Sequence, residues 1–267
     1  MKLFLLRVIT GMVLAALFSF YPNLNVSAAL ITKTLDANTR ITPQGIIMAT
    51  QGEIPMFKKG TIVTLDEYGN VLEGILADTI NLPYESGTAA AALRKTSVAP
   101  PMMFIPYYVT DTKPKYRLLT FKEGTKVIFN AKGEVVRGTI TNTNDSIEFN
   151  SVNHMQITSG EISFHDSGMV ATCTLGKNTY LRPVGWQLLL TANFTNNTAC
   201  SGLVEFKGKQ LLELNEKGEV MKGTLNNKTQ LLTAADGSST KLYEAGTIVE
   251  FDEKGVVIKA EMMPKPE

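Results

Sequence analysis

Phe121-Lys-Glu-Gly-Thr-Lys-Val-Ile-Phe-Asn-Ala-Lys-Gly-Glu-Val-Val-Arg-Gly-Thr-Ile140 reads as one β-hairpin, and the chain repeats it. Copies begin at Phe57, Phe206 and Tyr243. Counted from the turn glycine (Gly69, Gly133, Gly218, Gly255), an aromatic ring stands twelve residues earlier in all four copies. Apolar residues stand six and four before it: Val63 and Leu65, Val127 and Phe129, Leu212 and Leu214, Val249 and Phe251. A spacing of two puts both side chains on one face of a strand. Three before the glycine comes Asp66, Asn130, Asn215 or Asp252. Asx at the first position and glycine at the fourth suit a type I turn, with the glycine as the left-handed bulge residue that closes a twisted hairpin.

The return strand is as regular. Val71, Val135, Val220 and Val257 follow the glycine at two residues, and Leu76, Ile140, Leu225 and Met262 at seven. Five after it comes a small residue: Gly74, Gly138, Gly223 or Ala260. By strict alternation that residue shares a face with Leu72 or Val136, and a glycine there implies close approach by the opening aromatic. Weaker copies surround Gly168, with His165 at the Asx position and Cys173 at the small one, and Gly45, with the turn Thr42-Pro-Gln-Gly45. Short strands are expected at 145–149 and 230–233, one connecting strand per hairpin. The fold class is therefore all-β: tandem antiparallel hairpins in an extended or curved sheet, with a β-sandwich or barrel as the alternative. One short helix is expected near 88–95, where Thr88 precedes an alanine run.

Residues 1–28 read as a secretory signal peptide, with Lys2 and Arg7, an apolar core from Val8 to Phe20, and Val26-Ser-Ala28 before the cut. The core is too short to span a bilayer, which takes roughly 20 residues, so no transmembrane anchor is expected after cleavage. Export to the periplasm or beyond follows as an expectation. The hairpin region runs from 29 to 267, with irregular insertions at 80–118 and 176–204. Without Lys2 and Arg7 it carries 24 basic against 25 acidic side chains, which gives no drive toward nucleic acid.

The candidate functional residues are few. Met102, Met103, Phe104, Ile105, Tyr107 and Tyr108 form the most apolar run beyond the leader, readable as a partner-binding patch or as a buried edge strand marked by Pro106. Cys173 and Cys200 are an even pair in an exported chain; a disulfide closing that loop would contribute roughly 3.6 kcal/mol in the chain-entropy model, and two separate buried thiols are the alternative. His154 and His165 have no cysteine or second histidine at ligand spacing, so no metal or cofactor is expected. The carboxylate pairs Asp66-Glu67 and Asp252-Glu253 fall where the turn register already needs them, and no nucleophile, zincin or phosphate-loop motif occurs.

The hairpin register, with Gly69-x4-Gly74, Gly133-x4-Gly138 and Gly218-x4-Gly223, resembles the broad class of bacterial MORN-like repeats over about half of the mature chain. Its units are longer and lack that family's Tyr-x-Gly opening. The resemblance implies a binding or assembly surface. The leading expectation is an exported non-enzymatic protein meeting an unidentified protein or envelope component through the turn-tip lysines Lys132, Lys217 and Lys254 or the 102–109 segment. The alternatives are a hydrolase of polysaccharide or peptide with its site in 140–202, and a self-assembling surface protein.

Overall fold

The structure is a computed structural model and describes residues 30–45, 54–85, 117–141, 146–148, 154–191 and 202–263. The expected leader, the helix near 88–95, the segment from Met102 to Tyr108, and Cys200 lie outside the described residues. In chain order the strands are β1 (Ile31–Thr34), β2 (Thr39–Arg40), β3 (Met56–Phe57), β4 (Ile62–Leu65), β5 (Val71–Ile75), β6 (Ile80–Glu85) and β7 (Arg117–Phe121). They continue with β8 (Lys126–Phe129), β9 (Val135–Ile140), β10 (Ser146–Glu148), β11 (His154–Gln156), β12 (Gly160–Phe164), β13 (Val170–Thr174) and β14 (Thr179–Leu181). After helix α1 (Trp186–Thr191) come β15 (Val204–Phe206), β16 (Leu211–Leu214), β17 (Val220–Thr224), β18 (Thr229–Leu232), β19 (Thr240–Tyr243), β20 (Thr247–Phe251) and β21 (Val257–Met262).

Five hairpins, β4–β5, β8–β9, β12–β13, β16–β17 and β20–β21, stand side by side. Their tips hold Gly69, Gly133, Gly168, Gly218 and Gly255, all with φ between 78° and 85°. Each return strand pairs antiparallel with the first strand of the next hairpin. With β1 on β4, and with β6 and β7 branching from β9, the sheet has 13 strands. Among the described residues its end strands β1 and β21 each pair on one side only, so the sheet is open and the barrel alternative falls.

The turns close as the Asx-to-glycine spacing requires. At Asn130 the backbone N–H donates to Glu134 O at 2.9 Å, and Gly133 N–H donates back to Asn130 O at 3.0 Å. The Asn130 Oδ1 accepts from Lys132 N at 2.9 Å and Glu134 N at 3.0 Å. Asn215, Asp66 and Asp252 repeat the pattern. These oxygens serve N–H groups that the bend removes from the ladder. His165 departs: its backbone makes the same two bonds, but its ring Nε2 lies 2.9 Å from Leu214 O on the next hairpin, so the ring joins two hairpins instead of capping its own turn.

One expectation fails at the bulge. Leu65 faces Val71 while Thr64 faces Glu73, which leaves Leu72 as an extra residue. Val136, Ala171, Met221 and Ile258 are the corresponding extras. The inserted residue resets the alternation, so the small position shares its buried face with Val71 or Val135, not with Leu72 or Val136. The expected approach of the aromatic does hold. A Cβ on Gly74 would lie 2.5 Å from Phe57 Cδ1, one on Gly138 2.6 Å from Phe121 Cδ1, and one on Gly223 2.6 Å from Phe206 Cδ1. Those rings are fully buried, each stabilising the fold by about 1.5–3 kcal/mol. In the hairpin at Gly168, Ile157 bridges Leu175 as Phe57 bridges Leu76, and the smaller opening residue goes with the larger Cys173.

Before the first hairpin and between successive ones the chain forms two-stranded ribbons, β2–β3, β6–β7, β10–β11, β14–β15 and β18–β19. The expected strands at 145–149 and 230–233 are β10 and β18, but each has a ribbon partner, so the connecting unit is two strands and not one. Likewise the insertions at 80–118 and 176–204 are ordered at both ends, by β6 and β7 and by β14 and β15. The ribbons add Leu82, Leu119, Met155, Leu181, Val204 and Leu231 to the core. Tyr84 of β6 stacks on Phe164 of β12, ring centroids 4.7 Å apart.

The tight hairpin expected around Gly45 does not form. Arg40 pairs with Met56, and Ile41 N–H donates to Pro55 O at 3.2 Å. The Thr42–Gly45 segment instead runs across hairpin tips as a strap. Thr42 O accepts from Val71 N at 3.0 Å, Pro43 bridges Val71 in parallel, and Gly45 lies on the tip at Gly133. A Cβ on Gly45 would lie 2.4 Å from Lys132 O, and one on Gly133 would lie 2.3 Å from Gln44 O. A second strap repeats the arrangement. Arg182 O accepts from Val220 N at 2.9 Å, Pro183 bridges Val220, and Gly185 meets the tip at Gly255, where added Cβ atoms would lie 2.4 Å from Lys254 O and Val184 O. Both straps share the pattern Asn-Thr-x-x-x-Pro-x-Gly, as Asn38-Thr-Arg-Ile-Thr-Pro-Gln-Gly45 and Asn178-Thr-Tyr-Leu-Arg-Pro-Val-Gly185, 140 residues apart.

Candidate functional site

The turn-tip lysines sit on a scaffold built by the turns themselves. Lys132, Lys217 and Lys254 are exposed, and each backbone N–H is held by the Asx oxygen two residues earlier. In two of the three tips the lysine carbonyl lies under a strap glycine, Gly45 on Lys132 and Gly185 on Lys254. The aspartates of the carboxylate pairs are structural in the same sense. Asp66 Oδ1 accepts from Tyr68 N at 2.9 Å and Asn70 N at 2.8 Å, and Oδ2 accepts from Asn70 Nδ2 at 2.8 Å. Burial works to raise its pKa, but the bonds from the Asn70 side chain and from the Asn70, Tyr68 and Gly69 backbone together hold it below the ordinary value.

Cys173 is a buried free thiol in β13, opposite Leu212 on the neighbouring strand. Burial pushes its pKa up to about 12, so it is the inward small residue of its hairpin and a poor nucleophile. Its pairing with Cys200 involves a residue outside the described ones. The backbone of His154 opens β11, opposite Glu148. Among the described residues no group of three His, Cys, Asp or Glu side chains could hold a metal ion, and no helix is long and apolar enough to cross a membrane.

Three features escaped the sequence reading. The first is the pair of straps, whose repeated Asn-Thr and Pro-x-Gly were a legible signal. The second is α1, inside the 176–204 insertion, where Arg182 stacks over the Trp186 ring at 3.9 Å. The third is an open hollow of about 380 Å³ lined by Asn38, Lys58, Lys59 and Glu123, beside the first strap. There Asn38 Oδ1 accepts from Lys59 N at 2.8 Å, as Asn178 Oδ1 accepts from Gly208 N beside the second. No family model matches this chain, and no curated protein or solved structure is significantly similar to it, so the likeness to MORN-like repeats rests on hairpin register alone.

Proposed function

We propose that this chain is an exported, non-enzymatic β-hairpin protein that binds or assembles at the cell envelope through the tip end of its sheet. One observation supports this most: the tip Asx oxygens are committed to backbone N–H groups, while the lysines beside them are exposed on a braced framework. With Glu216 beside Lys217 and Glu253 beside Lys254 also exposed, the tips present mixed charge on a braced framework, which suits polar recognition of a partner, and among the described residues they hold no group poised for bond cleavage. The hydrolase reading finds no support among the described residues: His165 faces a backbone carbonyl, and the Cys173 thiol is held protonated. The 102–109 segment is the second candidate contact.

Photo-cross-linkers placed at 132, 217 and 254 in cells test the reading, with the N-terminus of the fractionated protein determined in parallel. The reading expects an N-terminus at Ala29, envelope adducts from the tips, and their loss in a triple Lys→Glu variant. A chain that keeps its leader and gives no adduct from either the tips or the 102–109 segment would overturn it.

A further inference from the structure

The two ends of the sheet are not equivalent, and only one is fit for pairing. We propose that β21 is a self-association edge, through which two copies pair antiparallel about a two-fold axis at Ala260, joining their sheets. The inference is independent of the envelope reading.

Strand parity carries the first step. The path from β1 to β21 holds eleven strands, and every neighbouring pair is antiparallel. An odd count makes β1 and β21 run the same way. Head-to-tail stacking would therefore set β21 parallel to β1 of the next copy, breaking the antiparallel ladder. Only a two-fold operation, β21 on β21 or β1 on β1, continues it.

Side chains choose between those two. On β1, Lys33 stands opposite Val63 and so lies on the inward face, where the internal return strands carry a small residue. An inward charge blunts an edge, and antiparallel pairing about Lys33 would set it against its own copy. On β21 the inward position is Ala260, opposite Val249. Pairing about Ala260 sets Lys259 opposite Glu261 of the second copy and Glu261 opposite its Lys259, so both charged pairs are complementary. The same charge logic already operates inside the sheet, where Lys126 meets Glu73 at 2.8 Å and Arg137 meets Glu161 across neighbouring hairpins.

Sedimentation of the purified chain over a concentration series tests this, with far-UV circular dichroism as the folding control. A dimer is expected, with Lys259→Glu or Glu261→Lys alone weakening it about tenfold or more, because each places two like-charge pairs in the junction. The double variant K259E/E261K restores complementarity and should recover the parental dissociation constant. Independently, Ala260→Cys should cross-link copies under mild oxidant, since directly opposed strand residues have Cα atoms about 4.5–5.5 Å apart, within disulfide reach; Ile258→Cys and the parent should not. A monomer at every concentration, as a different strand-donating partner would leave it, overturns the proposal. So does a dimer indifferent to both single reversals, or one that the double reversal fails to restore.

Discussion

The tips at Gly69 and Gly133 share a register, matched turn bonds and nearly equal φ angles, 83° and 80°. They differ in what lies above. Nothing approaches within 4 Å of a Cβ built on Gly69, whereas the strap backbone stands 2.3 Å from one built on Gly133. Two kinds of instruction are therefore written on one motif. Local bonds between residues four apart make the hairpin, and a segment from elsewhere fixes how hairpins sit beside one another. The first kind is repeated at every tip; the second is applied at Gly133 and Gly255.

The largest test of that difference is alanine at the tips. Gly69→Ala asks an L-residue to adopt the left-handed region, costing about 1–2 kcal/mol. Gly133→Ala carries the same cost and adds a backbone overlap, for a total of about 3–4 kcal/mol, with Gly255→Ala alike. Urea midpoints of the variants measure it, and equal losses at 69 and 133 would mean that the strap does not bear on its tip.

Next comes the ring and glycine pair beneath the sheet. Gly74→Ala should cost about 2 kcal/mol through overlap with Phe57. Phe57→Ile with Gly74→Ala imitates the Ile157 and Cys173 pairing, and should cost less than the sum of the singles by about 1 kcal/mol in a thermal double-mutant cycle. Full additivity would break the proposed exchange of bulk.

Smaller is the turn carboxylate. The folded Asp66 pKa is lowered, so its contribution is complete above the unfolded value of about 3.9 and is lost as pH falls through the lower folded value. Asp66→Asn should therefore flatten the loss of stability below about pH 4 relative to the parent, whereas Asn130→Ala should cost about 1 kcal/mol with little change in that acid slope. Melting temperatures between pH 2 and 7 separate the two.

The smallest effect compares the two straps. Lys209 has φ 59°, at the position where the other aromatic-led units place Gly60, Gly124 and Gly246 in the left-handed region. Its unit has the glycine one residue earlier, at Gly208, where a Cβ would lie 2.7 Å from the Lys177 backbone beside the second strap. Lys209→Gly should stabilise by about 0.5–1 kcal/mol, read from the urea midpoint.

How far the fold was legible follows the same division. The tips at Gly69, Gly133, Gly218 and Gly255 could be read because Asx, glycine and the flanking apolar residues act within a few positions of each other. The bulge was recognised but not carried through, so Leu72 was assigned the face that belongs to Val71. The Thr42–Gly45 segment has turn-forming residues, yet its bonds go to Val71 and its contact to Gly133, far along the chain, and local composition carries no distance. The turn position of His165 was legible, but its ring bond was not, for the same reason: its partner, Leu214, belongs to another hairpin. At the candidate site, the carboxylate pairs fall in the turns as expected, while the straps show in the sequence only as the repeated Asn-Thr and Pro-x-Gly, a pattern that carries no sign of the distant tips they seat on.

The straps also restrict how such a chain can lengthen or shorten over evolutionary time. Each one holds two successive tips, Val71 with Gly133 and Val220 with Gly255, and leaves the hairpin between those couples unclasped. Deleting β8–β9 alone would leave Gly45 with no tip to seat on, whereas β12–β13 could be lost or duplicated without disturbing either clasp. Natural length variants should therefore change by that one hairpin or by whole clasped couples.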